Sequence, residues 1–144
     1  MRFVNRNLLM ILTLIFLFAF TTTATGGPTY KHVLSSGLFL LPTSNAASLD
    51  WVVVNNSQKS QTFRVTVYKC NLGALKTALD LVESTLDPGY SYHNANTYPH
   101  GFYYEVVVET NNLKVMPTVT VWSDSSAAVI PGTTILPGNF VEIQ

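Results

Sequence analysis

Cysteine is nearly missing from this chain, with Cys70 the single thiol in 144 residues. One thiol cannot close an internal disulfide, so the fold has to hold through its core alone. The alternative use of Cys70 is an intermolecular bridge between two copies. Charge is scarce too. Lys and Arg together number 8, Asp and Glu number 8, the formal net charge is +0, and only 11% of residues are charged. A typical soluble domain carries roughly 25%. Without a basic surplus or stripe there is nothing to neutralise a phosphate backbone, which argues against nucleic acid as a partner. No block of like charge occurs, and 47% of the residues are hydrophobic, which argues against disorder. The length admits one domain.

Catalytic signatures are missing as well. The chain has no Gly-x-Ser-x-Gly elbow, no His-Glu-x-x-His, no phosphate-cradling glycine loop and no dinucleotide fingerprint. Its three histidines, His32, His93 and His100, show no spacing that predicts a triad, which geometry alone establishes. The reading is a protein that is not an enzyme and carries no cofactor. Asp87, His93 and His100 on a turn-rich segment are the weak candidates for a divalent metal such as zinc or copper. A blue-copper set fails on spacing, because 22 residues separate Cys70 from His93 and Met116 lies beyond both. The plainer role for His93 and His100 is that of polar loop residues.

Residues 1–26 differ from the rest. Arg2 and Arg6 form a basic start, Leu8 to Phe20 is apolar apart from Thr13, and small or hydroxylated residues follow to Gly27. This is the layout of a secretory signal peptide, with cuts available after Ala24 or Gly26. The alternative is an uncleaved signal anchor, but the apolar run of 13 residues is short of the roughly 20 that span a bilayer. The expected location is therefore secreted or on the extracellular surface, with residues 27–144 as a single domain. Losing Arg2 and Arg6 leaves six basic against eight acidic groups.

In that domain the period is two nearly everywhere. Phe63, Val65 and Val67 alternate with Thr62, Arg64, Thr66 and Tyr68. Phe102, Tyr104, Val106 and Val108 alternate with Tyr103, Glu105, Val107 and Glu109. Val115, Val119 and Val121 alternate with Thr118, Thr120 and Trp122. Such alternation of β-branched and aromatic residues marks strands with one face in a core. Trp51-Val52-Val53-Val54 is apolar on both faces, which predicts a central strand. Pro117 has no N–H for a ladder and predicts an edge or a bulge. Turn signals recur at short intervals, among them Pro42–Asn45, Asn55-Asn56-Ser57, Asn71–Gly73, Asp87-Pro88-Gly89, Asp124–Ser126 and Pro137-Gly138. Asn55-Asn56-Ser57 also fits the glycosylation acceptor pattern, although turn geometry alone explains it. The prediction is all-β: an antiparallel sandwich of about 7–9 strands. Leu72–Leu86 fits a helical stripe through Leu72, Leu75, Leu79, Val82 and Leu86, and a period of two through Leu75, Thr77, Leu79 and Leu81. Strand is preferred, because a lone helix would interrupt the rhythm.

The two valine-rich strands of Ser48–Lys69 around Asn-Asn-Ser, with Leu-Asp-Pro-Gly before the next strand, resemble immunoglobulin-like sandwich domains of secreted bacterial surface proteins. The resemblance is one of pattern over most of the domain, with no diagnostic motif and no Cys…Trp…Cys core. It implies adhesion, spacing or assembly and transfers no functional residue.

Aromatics supply the candidate binding residues. The segment Tyr90–Tyr104 holds Tyr90, Tyr92, Tyr98, Phe102, Tyr103 and Tyr104 interleaved with His93, Asn94, Asn96 and His100, and rigid amphipathic rings beside short amides suit recognition. Tyr68, Tyr103 and Trp122 point away from the inferred core; on neighbouring strands they would form an exposed stripe with Thr66, Thr118 and Thr120. Cross-strand aromatic pairs also stabilise sheets without binding anything. The functional expectation is a secreted, non-catalytic sandwich with a structural, adhesive or surface-assembly role, partnered by other copies or cell-surface material. Edge strands with few guarding charges could join by strand addition. The alternatives are a carbohydrate-binding module using Tyr90–Tyr104, with polysaccharide as partner, and a small-ligand or metal-binding sandwich.

Overall fold

The computed structural model describes residues 29–41, 47–123 and 128–144. The expected signal peptide or anchor and the turn signals at Pro42–Asn45 and Asp124–Ser126 lie outside the described residues. Among the described residues no helix is long and apolar enough to cross a membrane.

The strands are β1 His32–Ser35, β2 Phe39–Leu40, β3 Ala47–Asn55, β4 Gln61–Cys70, β5 Thr77–Leu86, β6 Ser91–Thr97, β7 Tyr103–Thr110, β8 Val115–Ser123, β9 Ala128–Val129 and β10 Val141–Glu142. A single 3-10 turn, Pro137–Asn139, is the only helical element among the described residues. Two antiparallel sheets make an all-β sandwich. One sheet runs β10-β1-β7-β4-β5, with β2 also on β7; the other runs β6-β3-β8-β9. Among the described residues ten strands exceed the expected 7–9, the excess coming from the two-residue strands β2, β9 and β10.

The alternation places the core as expected. Phe63, Val65 and Val67 on β4, Tyr104, Val106 and Val108 on β7, Leu49, Trp51 and Val53 on β3, and Val115, Val119 and Val121 on β8 are buried together between the sheets. β3 is central, paired with β6 and β8. Pro117 faces Val53 across β3, but β9 covers only Trp122 and Ser123 on the other side of β8. Pro117 therefore sits where its strand has one neighbour, and no ladder bond is lost. Asn55 is fully buried, and its side chain is spent inside the protein. Its Nδ2 donates to the carbonyls of Lys59 and Leu86, each at 2.9 Å, and its Oδ1 accepts from the Ser57 N–H and hydroxyl. The Asn-Asn-Ser sequence is thus a turn lock that ties β3 to the end of β5.

The ambiguous segment resolves as strand from Thr77 on, preceded by a turn. Among the described residues β5 is the edge of its sheet, pairing only with β4. Its guard against strand addition was underestimated from sequence. The register slips by one residue opposite Val67/Tyr68, and Asp80, the partner of Val67, takes an inner-face position. A bulge and an inward charge are both devices that keep an edge from pairing.

Candidate functional site

The outer face of the β5-side sheet carries the densest set of exposed apolar and reactive groups. Register places Tyr68 opposite Glu105, Cys70 opposite Tyr103, and Leu40 opposite Tyr103. After β4 the chain turns sharply, the Ala74 N–H bonding the Asn71 carbonyl at 3.1 Å, with Gly73 at φ +78°. A left-handed residue is needed there, and glycine supplies it without strain. The turn brings Lys76 back over the sheet. Its Nζ lies 4.4 Å from the centroid of the Tyr68 ring and donates to Glu105 Oε2 at 2.8 Å. Glu105 Oε1 accepts from Ser35 Oγ at 2.6 Å.

Beside this chain of contacts is a cavity of about 440 Å³, lined by Leu38, Cys70, Leu72, Leu75, Lys76 and Tyr103 among others. Its leucines are unusually exposed, Leu72 at 83% and Leu75 at 93%. Electrostatics at its floor are settled by the ion pair. Burial works to raise the Glu105 carboxyl, but hydrogen bonds from Lys76 and Ser35 and the Lys76 charge outweigh it and hold it below the ordinary range. The bond to Glu105 raises the Lys76 ammonium despite some desolvation. Burial, then the Glu105 charge, pushes the Cys70 thiol up against the opposing pull of Lys76. The partly exposed Cys70 is thereby held toward the thiol form, which slows both nucleophilic attack and bridging.

Of the residues singled out from sequence, Tyr68, Tyr103 and Cys70 meet at this site. Trp122 does not join them. It lies with Thr118 and Thr120 on β8 in the other sheet, so the anticipated stripe is divided between opposite outer faces. Tyr90 is exposed at the turn into β6. Tyr92 faces inward, stacked on Trp51 at 5.6 Å and edge-on to Phe63 at 5.8 Å, and serves the core. Tyr98 is buried, its ring tilted against Tyr104 at 5.6 Å.

The weak metal candidates stay apart. Asp87 accepts from Ser60 Oγ at 2.6 Å, His93 Nε2 lies 2.7 Å from Asp50 Oδ1 on the opposite sheet's outer face, and the Nδ1 of His100 is buried without a partner. Among the described residues no group of three His, Cys, Asp or Glu gathers within reach of one ion.

Sequence reasoning missed Lys76, Glu105 and Ser35, because their meeting depends on β1, β7 and the β4–β5 turn coming together. It named Asn94 and Asn96 beside the tyrosines but missed the partner, Asp80, that makes them a second polar cluster. Asp80 on β5 and Asn94 and Asn96 on β6 occupy inner-face positions at one open side of the sandwich. Asp80 Oδ2 accepts from Asn96 Nδ2 at 2.8 Å, Asn94 Nδ2 at 3.2 Å and the Tyr98 hydroxyl at 3.3 Å. Burial pushes the Tyr98 phenol up to about 12, with Asp80 adding to the rise and the Asn96 amide opposing it. Asn94 and Asn96 fall in phase with Tyr92 and Tyr98, so the alternation did carry that signal.

No protein-family model matches the chain, and no curated protein matches it. One solved structure, that of Thermotoga maritima 1070, is similar in backbone path at 12% identity, covering 72% of this chain and 90% of that one with a TM-score of 0.49. A likeness at this level brings neither a family nor a function to this chain.

Proposed function

We propose that this protein is a secreted, non-catalytic binding and assembly module, which presents the outer face of its β5-side sheet to other copies of itself or to cell-surface material. The role is that of immunoglobulin-like domains of secreted surface proteins. The observation that carries the reading is the leucine rim around the Cys70 cavity. Leu38, Leu72 and Leu75 stand 59%, 83% and 93% exposed beside a cavity of about 440 Å³. Burying one such side chain against a partner contributes about 1.5–3 kcal/mol, and a contiguous exposed patch of this kind marks an interaction surface. The bulge and inward Asp80 argue against open-ended strand addition along β5, so face-to-face contact is the favoured mode.

Light scattering of the purified protein over a concentration series tests this, with and without reductant. Concentration-dependent association is expected, reduced by the pair Leu72→Ser and Leu75→Ser with the fold intact. Reductant sensitivity would place Cys70 at the contact. A strict monomer at all concentrations, with no retention on cell-surface material, would sink the reading.

A further inference from the structure

A second site lies away from the leucine rim, at the side of the sandwich where the edge strands β5 and β6 face each other. Most inner-face positions elsewhere are apolar, Asn55, Ser84 and Thr110 being isolated exceptions rather than a cluster. On β6, Asn94 stands opposite Trp51 and Asn96 opposite Leu49, and on β5 Asp80 stands opposite Val67. Three polar side chains at core-facing positions cost desolvation that valine would avoid, and such departures from pattern mark functional positions.

Their arrangement leaves acceptors to spare. All three protein donors converge on one oxygen, Asp80 Oδ2. Among the described residues no donor reaches Asp80 Oδ1 or the Oδ1 atoms of Asn94 and Asn96, and none of these oxygens is both buried and unpaired. They are therefore open to solvent. No Lys, Arg or His among the described residues pairs with Asp80. The carboxylate is held in one orientation by the amides and the Tyr98 hydroxyl, while its second oxygen is free. Asn94 keeps a second N–H to donate, whereas Asn96 Nδ2 also reaches the Tyr98 hydroxyl at 3.4 Å.

The geometry points to a binding site for a neutral sugar, in which Asp80 Oδ1 and an Asn Oδ1 accept from adjacent hydroxyls of one ring and an amide N–H donates back to a ring oxygen. A carboxylate–hydroxyl bond is charge-assisted, and a carboxylate already oriented by protein donors loses little freedom on forming it. A cation would serve these atoms less well. It would have one anionic ligand, and among the described residues no group of three His, Cys, Asp or Glu gathers to hold an ion. This inference does not depend on the assembly reading, since it uses a different part of the molecule.

The test is amide NMR of the full chain titrated separately with methyl α-mannoside, methyl β-galactoside and N-acetylglucosamine. Single-sugar affinities on the order of 1 mM are expected. At least one sugar should give saturable shifts of the Asn94 and Asn96 side-chain NH₂ signals. Asp80→Asn keeps the shape and removes the charge, and should weaken that binding about tenfold or more. If Asp80→Asn fails to fold, Asn94→Ala serves in its place, since Asp80 keeps two of its three donors. No response from these amides to any of the three sugars overturns the site. So does binding that maps instead to Tyr90 or Trp122, and so does binding that Asp80→Asn leaves unchanged.

Discussion

The two open sides of the sandwich are closed by opposite means. On the β1–β8 side, the C-terminal segment runs over the gap, Phe140 packs on the core, and β10 pairs with β1. What remains there is an apolar crevice of about 330 Å³ lined by Leu34, Leu113, Val115, Met116, Pro117 and Phe140 among others. On the β5–β6 side the gap is filled by Asp80, Asn94, Asn96 and Tyr98 bonded to one another. An apolar plug needs only surface and shape. A polar plug needs every donor placed, and it yields less net stability per group because water competes for the same bonds. The contrast assigns stability to the β1–β8 side and recognition to the β5–β6 side.

The contrast can be broken most severely at Asn55, which locks the end of β5 on the polar side. Asn55→Ala strands the Leu86 carbonyl and the Ser57 N–H, leaving the Ser57 hydroxyl only its bond to the Lys59 carbonyl, and should cost about 3 kcal/mol or more in a denaturation midpoint. A loss under about 1 kcal/mol would mean that water replaces the amide and that the lock is no lock.

Alkali should weaken the polar side next. An acid raised from 10.0 to about 12 in the folded state holds its proton longer there than in the unfolded chain. Stability is therefore full below about pH 10 and declines between about pH 10 and 12, by about 2–3 kcal/mol for Tyr98. Tyr30 and Tyr104 are also raised, mainly by burial, and add to the decline. Denaturation series of wild type and Tyr98→Phe isolate the Tyr98 share, and identical pH profiles would contradict it.

On the apolar side, Phe140→Ala should cost about 2 kcal/mol, because a half-buried ring leaves its place on the core. It should also speed hydrogen exchange of the Ile143 N–H, which bonds the Val33 carbonyl at 2.8 Å. Unchanged exchange would show that β10 holds without the ring.

The smallest effect is the most discriminating. Asp80→Val alone should cost about 1–2 kcal/mol by leaving amides without their acceptor. The quadruple change that adds Asn94→Val, Asn96→Val and Tyr98→Phe should lie within about 1 kcal/mol of wild type, since removing all partners together can be nearly neutral. A quadruple variant several kcal/mol weaker would make the cluster a stabilising element and remove the motive for reading it as a binding site.

Much of this architecture was readable in advance. The alternation in β4, β7 and β8 named the inward residues, because the pleat turns successive side chains to opposite faces regardless of neighbours. Trp51–Val54 announced a central strand for the same reason. The polar cluster was half legible. Asn94 and Asn96 sit in phase with core rings, but their partner Asp80 lay in a segment whose spacing fitted a helix as well as a strand. The Lys76–Glu105–Ser35 chain was not legible at all, since its members are scattered over 71 positions of the sequence from Ser35 to Glu105.

By itself, then, the sequence determined that this is an all-β chain with alternating faces, tight turns and no internal disulfide. Those properties rest on local periodicity, on the fixed φ of proline and the free φ of glycine, and on a count of thiols. Only the tertiary structure decided that Tyr68 and Tyr103 share a face that Trp122 does not, that Tyr92 and Tyr98 belong inside, and that Asp80 meets two asparagines across the gap between the sheets. Strand order and sheet membership come from pairings between distant segments, and local patterning tells which way a side chain points without telling what stands opposite.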